Sequence, residues 1–296
     1  MMTERSKIYI LPARSAVREY AALTKPELTL LSVLTAACSA YMALGRESSL
    51  LPILHAGVGT FLVGGGAGAL NQYFERTHDG KMKRTEHRPL PAGTVRPQDA
   101  FVFGSACAAL GVLYLAVAAN AAAALLALIT FVSYVFIYTP LKRKTPFATV
   151  VGSIPGALPP LIGWASVRGG LNMEAWSLFF ILFFWQMPHF LSLAWMYRND
   201  YARAGFKILT VLDPAGGATS RQILVYTIAL VPASVLPTLL GMAGVVYFYT
   251  AITLSCAFLL IAIRFVNRRT GAAARTLFFA SLVYLPAEFV FLLAMK

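Results

Sequence analysis

The chain has 296 residues, of which 58% are hydrophobic and only 12% charged, and its mean hydropathy is +0.68. That is more apolar surface than a soluble core can hide, so the composition excludes an ordinary soluble enzyme and makes the lipid bilayer the partner of most side chains. A formal charge of +13 would point to nucleic acid in a soluble protein; here the cations are ordered by topology, and no nucleic-acid partner is expected.

A hydrocarbon core about 30 Å thick takes roughly 20 apolar residues per helix. The first such stretch is Leu28–Gly45 and the second Leu50–Phe74. Ala100–Pro140 contains no charged residue, is too long for one helix and has a reversal near Asn120, which makes spans three and four. Thr145–Val167, rich in Gly and Pro, is the fifth, and Ala175–Tyr197 the sixth. Gln222–Ile263 is again charge-free at twice the needed length and turns at Gly241-Met242-Ala243-Gly244; Thr276–Met295 is the ninth span. The expected fold is all-α, a polytopic membrane protein of nine transmembrane helices around a central cavity opening to the cytoplasmic side. Residues 1–27 form a cytoplasmic N-terminal segment and 28–296 a single membrane domain.

The cations test this count. Five Lys and Arg precede the first span, six follow the second, three the fourth, four the sixth and four the eighth, so 22 of 25 fall on one face. Arg46, Arg168 and Lys296 fall on the other. A wrong number of spans would scramble this asymmetry, which places the N-terminus in the cytoplasm and the C-terminus outside. The first 25 residues mix arginines with Glu4 and Glu19 and show no apolar core before a cleavage site, so a bacterial inner membrane is the expected home. Cys38, Cys107 and Cys256 sit in apolar runs without metal or disulfide spacing and read as small core residues.

Two loops are long and dense with charge. If the second span continues as a helix to Asp79, then Asn71, Glu75 and Asp79, at i, i+4 and i+8, share one face at the membrane boundary. An amide and two carboxylates suit Mg²⁺, which keeps waters and takes one or two carboxylates beside substrate phosphate oxygens. Downstream, Lys81, Lys83, Arg84 and Arg88 offer donors for those oxygens. The second loop grows out of the sixth span, where Pro188 interrupts the helix and Trp185, Gln186 and His189 lie at bilayer depth; polar groups there usually face a cavity. Its cytoplasmic part carries Tyr197, Asp200 and Lys207. At the end of the fourth span, Pro140 is followed by Lys142 and Arg143, a further pair able to clamp phosphate. Gly64–Gly68 in the second span, a small-xxx-small pattern, is read as packing, and His55 as structural. The ensemble fits a lipid diphosphate held by its head at the interface with its tail in the bilayer. Mg²⁺ and the cations would stabilise the charge that develops as an allylic C–O bond breaks, and the π-faces of Tyr73, Tyr197 or Trp185 would shield the allylic cation.

The ordered set Asn71-xxx-Glu75-xxx-Asp79 with Arg84-Thr85 and Arg88-Pro89-Leu90, Tyr138-Thr139-Pro140-Leu141-Lys142-Arg143, Gly152-Ser-Ile-Pro155-Gly156, and Trp185-Gln186-Met-Pro188-His189-Phe190 with Asp200-Tyr201 closely resembles the protoheme IX farnesyltransferases, or heme O synthases, a branch of the UbiA-type intramembrane prenyltransferases. The resemblance runs from about Leu23-Thr24-Lys25-Pro26 to the C-terminus. It implies an enzyme that moves a farnesyl group from farnesyl diphosphate to a vinyl group of heme B, releasing diphosphate, with a product used by heme A synthase or a terminal-oxidase assembly. It assigns Asn71, Glu75, Asp79 and Asp200 to Mg²⁺ and catalysis, Arg84, Arg88, Lys142, Arg143 and Lys207 to the diphosphate, and Tyr73, Trp185, Gln186, His189 and Tyr197 to the acceptor or prenyl chain. The alternatives are prenylation of an aromatic quinone precursor and, in another class, a heme or lipid transporter.

Overall fold

The computed structural model describes residues 13–45 and 49–296. Arg5, Lys7 and Arg46, counted above among the topology cations, lie outside the described residues. Among the described residues, nine helices are long and apolar enough to cross a bilayer: Pro26–Ala43, Leu51–Asp79, Pro97–Ala118, Ala121–Leu141, Ala148–Arg168, Met173–Met196, Gly217–Leu239, Val245–Arg268 and Gly271–Ala294. They are called spans 1 to 9 below. A short helix, Ala13–Leu23, precedes them and buries Leu23 beside Ala69, Leu90 and Val95.

Local chemistry sets most of the starts. Proline stands in the first turn of spans 1, 2 and 3, where its missing N–H costs nothing. Asn120, Asn172 and Thr270 cap spans 4, 6 and 9 by accepting from Ala123 N, Ala175 N and Ala273 N. The reversal at Asn120 and the turn at 241–244 fall where charge-free runs of double length required them. Span 2 outruns its apolar stretch. It stays helical to Asp79 because no glycine or proline falls between Gly68 and Gly80, and this extension turns a sequence spacing into a helix face.

Span 4 is irregular near its end. Ser133–Tyr138 forms a π-helical segment before the last turn, Thr139–Leu141. Pro140 has no N–H to return to the carbonyl four residues earlier, and the wider turn absorbs that defect.

Spans 1 to 5 pack as one group and spans 6 to 9 as another; span 5 lies on span 6, and span 1 meets span 9 to close the bundle. Spans 5, 6 and 2 are the most deeply enclosed, whereas spans 3, 4, 7 and 8 present most of their surface outward. Two close crossings depend on glycine. A Cβ on Gly66 would lie 2.5 Å from Gly104 O and 2.6 Å from Ala108 N of span 3, and one on Gly163 of span 5 would overlap the backbone of Ala36 in span 1.

Glu288 finds its account in packing. Nearly inaccessible within span 9, its Oε1 accepts from the Tyr247 hydroxyl of span 8 at 2.7 Å. Tyr284 extends the polar seam to Ser234 and Ser255. A carboxyl group in oil must be hydrogen-bonded, and this one ties the last two helices together.

Candidate functional site

Asn71, Glu75 and Asp79 occupy successive turns of span 2, and all three are buried, at 0%, 5% and 2% exposure. The expected face therefore exists, but it points into protein and each member has a partner brought from elsewhere in the chain. Lys142, just past span 4, places Nζ 2.8 Å from Glu75 Oε1 and donates to Oε2 at 3.0 Å. Arg88 Nη1 donates to Asp79 Oδ2 at 2.8 Å. Asn71 Nδ2 donates to Thr139 Oγ1 at 2.9 Å, and Thr139 donates in turn to Tyr134 O.

The loop after span 2 is folded back to make this possible. Thr85, almost fully buried, donates its hydroxyl to Asp79 O at 2.8 Å, and Met82 is sealed among Ala194, Ala204, Phe206 and Ile208. With Asp79 O capped and Met82 anchored, the chain returns Arg88 to the carboxylate at the end of the helix it has just left. The second charged loop closes over the same end. Lys207 N donates to Lys142 O at 2.9 Å, and Arg84 lies 5.6 Å from the Tyr197 ring centroid with Nη2 3.4 Å from the Tyr201 hydroxyl.

A residue absent from the expected set joins the cluster. Lys25, the N-cap of span 1, is held in the left-handed region at φ +49°, and its ammonium donates to Asn71 Oδ1. Left-handed geometry costs a lysine roughly 1–2 kcal/mol, so packing must hold it there. Burial pushes Lys25 down to about 7, with Arg88 and Lys142 adding to the effect and Glu75 and Asp79 opposing it. Lys142 goes the other way: burial pulls its ammonium down, but the Glu75 carboxylate and the tyrosines Tyr138 and Tyr134 more than offset this and hold it above the ordinary lysine value. One lysine faces an amide and the other a carboxylate, and that difference sets the sign. A cation at a helix N-cap opposes the helix dipole; that misfit was the sequence signal for Lys25.

The other expected residues divide. Tyr73 is not brought to the cluster. Two residues from Asn71, it points to the opposite side of span 2, where it packs on Phe74 and Phe101 beneath the Arg76 guanidinium. Tyr138 takes the place beside the charges, with Lys142 Nζ 4.6 Å from its ring centroid. Gly152 of span 5 makes room for that ring. Asp200 lies at the same end of the bundle but pairs with Arg203 in its own short helix. Arg143 and Lys207 have exposed side chains at the same end. Gln186 donates to Ser153 O at 3.0 Å, toward span 5. His189 turns instead to span 9: Nδ1 lies 2.8 Å from Ser281 Oγ, and the ring stacks between Trp185 and Phe278 at 4.7 and 4.9 Å. Because Ser281 Oγ spends its proton on Phe278 O, it accepts from Nδ1–H, which leaves the lone pair on Nε2. Trp185 donates to Ser281 O.

Among the described residues no three His, Cys, Asp or Glu side chains meet as a ready metal cage. The donor set still fits Mg²⁺. Glu75 Oε1 is closed to solvent and, although Lys142 Nζ is near, accepts no directed hydrogen bond, which leaves a carboxylate oxygen available. An ion that relies on substrate phosphate oxygens for the rest of its shell asks for little more from the protein.

Residues 32–283 match the model of the UbiA prenyltransferase family. The chain is 44% identical over 279 residues to a protoheme IX farnesyltransferase of Solibacter usitatus, covering 91% of this chain and 96% of that protein. It is 40% identical over 287 residues to one of Koribacter versatilis, covering 93% and 92%. In fold it is similar to a structure described for digeranylgeranylglyceryl phosphate synthase, with a TM-score of 0.79 at 16% identity over 95% of this chain and 98% of that one. It is also similar to a UbiA homologue from Archaeoglobus fulgidus bound to DMAPP and Mg²⁺, with a TM-score of 0.69 at 16% identity over 93% and 99%.

Proposed function

This chain belongs to the UbiA prenyltransferase family, and we propose that it transfers the farnesyl group of farnesyl diphosphate to a vinyl group of heme B, making heme O. The observation that carries the reading is the buried pairing of Glu75 with Lys142 and Asp79 with Arg88 at one end of an apolar bundle. Relatives at 40–45% identity over most of the chain bear the name of that activity.

The paired charges are a site in its closed, self-neutralised form. A diphosphate head entering here recruits Arg88 and Lys142 from their carboxylates, with Arg84, Arg143, Lys207 and Lys25 at hand, and Glu75, Asp79 and Asn71 are the residues that would hold Mg²⁺. Asp200 serves the same end once it leaves Arg203. Mg²⁺, when bound, supplies the positive charge that makes diphosphate a good leaving group. The residues do the rest: cations fixed before the reaction meet the charge that develops on the leaving oxygen without reorganisation. The burial of Glu75 and Asp79 strengthens each of these contacts. The farnesyl chain extends from this end into the bundle. The ring of Tyr138, already beside a cation at 4.6 Å, is placed to shield the allylic carbocation, a contact worth about 2 kcal/mol when desolvated. The vinyl carbon attacks that cation, water adds to the resulting cation on the porphyrin side, and a proton leaves, so the products are the hydroxyethylfarnesyl heme, diphosphate and H⁺. Trp185, Gln186 and His189 are assigned to the acceptor, His189 with its Nε2 lone pair free of an internal partner. The Lys and Arg asymmetry makes the site face the cytoplasmic one, in a bacterial inner membrane.

Detergent-purified protein given heme B, farnesyl diphosphate and Mg²⁺ is expected to yield a more retentive heme on reverse-phase chromatography, carrying the mass of one hydrated farnesyl group. Absence of that product while an aromatic quinone precursor is prenylated would overturn the acceptor, and absence of any diphosphate release would overturn the enzyme class.

A further inference from the structure

A chamber lies at the opposite end of the bundle from Glu75. It has a volume of about 610 Å³, within the range of ligand pockets, and is walled by Met42, Trp164, Arg168, Glu174, Met242 and Lys296. These residues come from the far ends of spans 1, 5, 6 and 9 and from the turn after span 7, so the chamber sits at the level of the lipid headgroups on that face.

Among the described residues no carboxylate pairs with its cations. Lys296 Nζ donates to Tyr41 O at 2.7 Å and Leu44 O at 3.0 Å, capping the last turn of span 1, and lies 4.5 Å from the Tyr41 ring centroid. Arg168 ends span 5, just before Gly169 turns the chain at φ +71°, and its side chain is exposed. Glu174 shares the rim, yet among the described residues neither cation comes within ion-pair distance of it. Burial pushes the Lys296 ammonium below the ordinary lysine value and Arg168 pushes it further, as expected of two like charges converging on one space. The third feature is Trp164. It is 4% exposed, lines the chamber, and its Nε1 has no hydrogen-bond acceptor.

Two cations with no carboxylate partner among the described residues call for an anion with several acceptor oxygens, and the apolar walls of Met42 and Met242 call for a greasy body attached to it. We propose that this chamber binds the phosphate headgroup of an anionic phospholipid from the leaflet on that face, with Arg168 and Lys296 as donors and the Trp164 indole as part of the wall. Glu174 opposes the anion and limits its affinity. The site is independent of the chemistry at the other end.

The test is lipid retention by full-length protein in detergent, read by native mass spectrometry and by the fluorescence of Trp164, with W164F identifying its signal. Wild type is expected to retain phosphatidylglycerol over phosphatidylcholine. R168Q should weaken phosphatidylglycerol binding about tenfold, the loss expected of one charge-assisted contact, and E174Q should tighten it. A merely structural role for Glu174 would not produce that gain. Equal retention of the two lipids, or R168Q and E174Q both binding as wild type does, overturns the proposal. Inorganic phosphate saturating the Trp164 signal at the concentration at which phosphatidylglycerol does would overturn the lipid as ligand.

Discussion

Lys142 tests whether the charges at the site are balanced pairs or independent groups. In K142M the Glu75 carboxylate, 5% exposed, loses the ammonium 2.8 Å away while Arg88 remains committed to Asp79. Breaking one side of a buried pair leaves an uncompensated charge and costs about 3–5 kcal/mol, whereas removing both sides is often close to neutral. At roughly 2–4 °C per kcal/mol for a chain of this size or somewhat smaller, K142M should melt about 10 °C below wild type in detergent at neutral pH, and E75Q/K142M should recover most of that loss. Farnesyl transfer should not recover with it, because the double variant has lost both a diphosphate donor and a metal ligand. Stability and turnover thus separate in one pair of variants. The reasoning is refuted if K142M melts as wild type does, or if the double variant is no more stable than the single one.

Four further outcomes follow from the same geometry. Asp79→Asn keeps a partner for Arg88 but removes a ligand charge, so heme O formation should fall by at least about a hundredfold while heme B binding, followed by its absorption band, persists; parallel loss of both would place Asp79 in folding rather than chemistry. Lys25→Gly relieves the left-handed geometry, about 1–2 kcal/mol, yet deletes the ammonium at the buried Asn71 oxygen, about 1–3 kcal/mol, so melting should change by only a few degrees while the KM for farnesyl diphosphate rises about tenfold; an unchanged KM removes Lys25 from the site. Glu288→Gln preserves an acceptor for Tyr247 and should be nearly silent in a melting assay, whereas Glu288→Leu removes the Glu288–Tyr247 hydrogen bond between spans 8 and 9, leaves the hydroxyl to Ser234 O alone, and should cost about 1 kcal/mol, the net worth of one hydrogen bond. Asp213 accepts from Thr219 N at 2.7 Å and Gly217 N at 3.2 Å; burial raises its carboxyl, but these amides more than offset that and hold it below the ordinary value. Its stabilisation is therefore present at neutral pH and fades as pH falls below about 4, so the melting gap between wild type and D213A, about 1 kcal/mol at pH 7, should narrow with acidification. A gap that stays constant would deny the cap.

The membrane class and the number of spans were legible in the sequence because they depend on local quantities: the length of apolar runs, the cations between them, and turn residues such as Asn120. The shared face of Asn71, Glu75 and Asp79 was legible too, since a spacing of four in a continuous helix fixes direction whatever lies across from it. The same rule applied to Tyr73 turns it away from that face, and the structure shows it packed on Phe101 instead.

What faces the acids could only be decided by the tertiary fold. Lys142 is 67 residues from Glu75, Lys25 is 46 from Asn71, and His189 meets Ser281 across 92. No periodicity connects such positions. They meet because spans 1, 4 and 9 are held at particular crossings by glycine contacts and polar seams, and because a folded-back loop anchored at Thr85 and Met82 returns Arg88 to Asp79. Short-range backbone geometry writes the elements and one face of the site; the cost of leaving a charge unpaired in oil, which can be met only by a side chain from elsewhere, selects the rest.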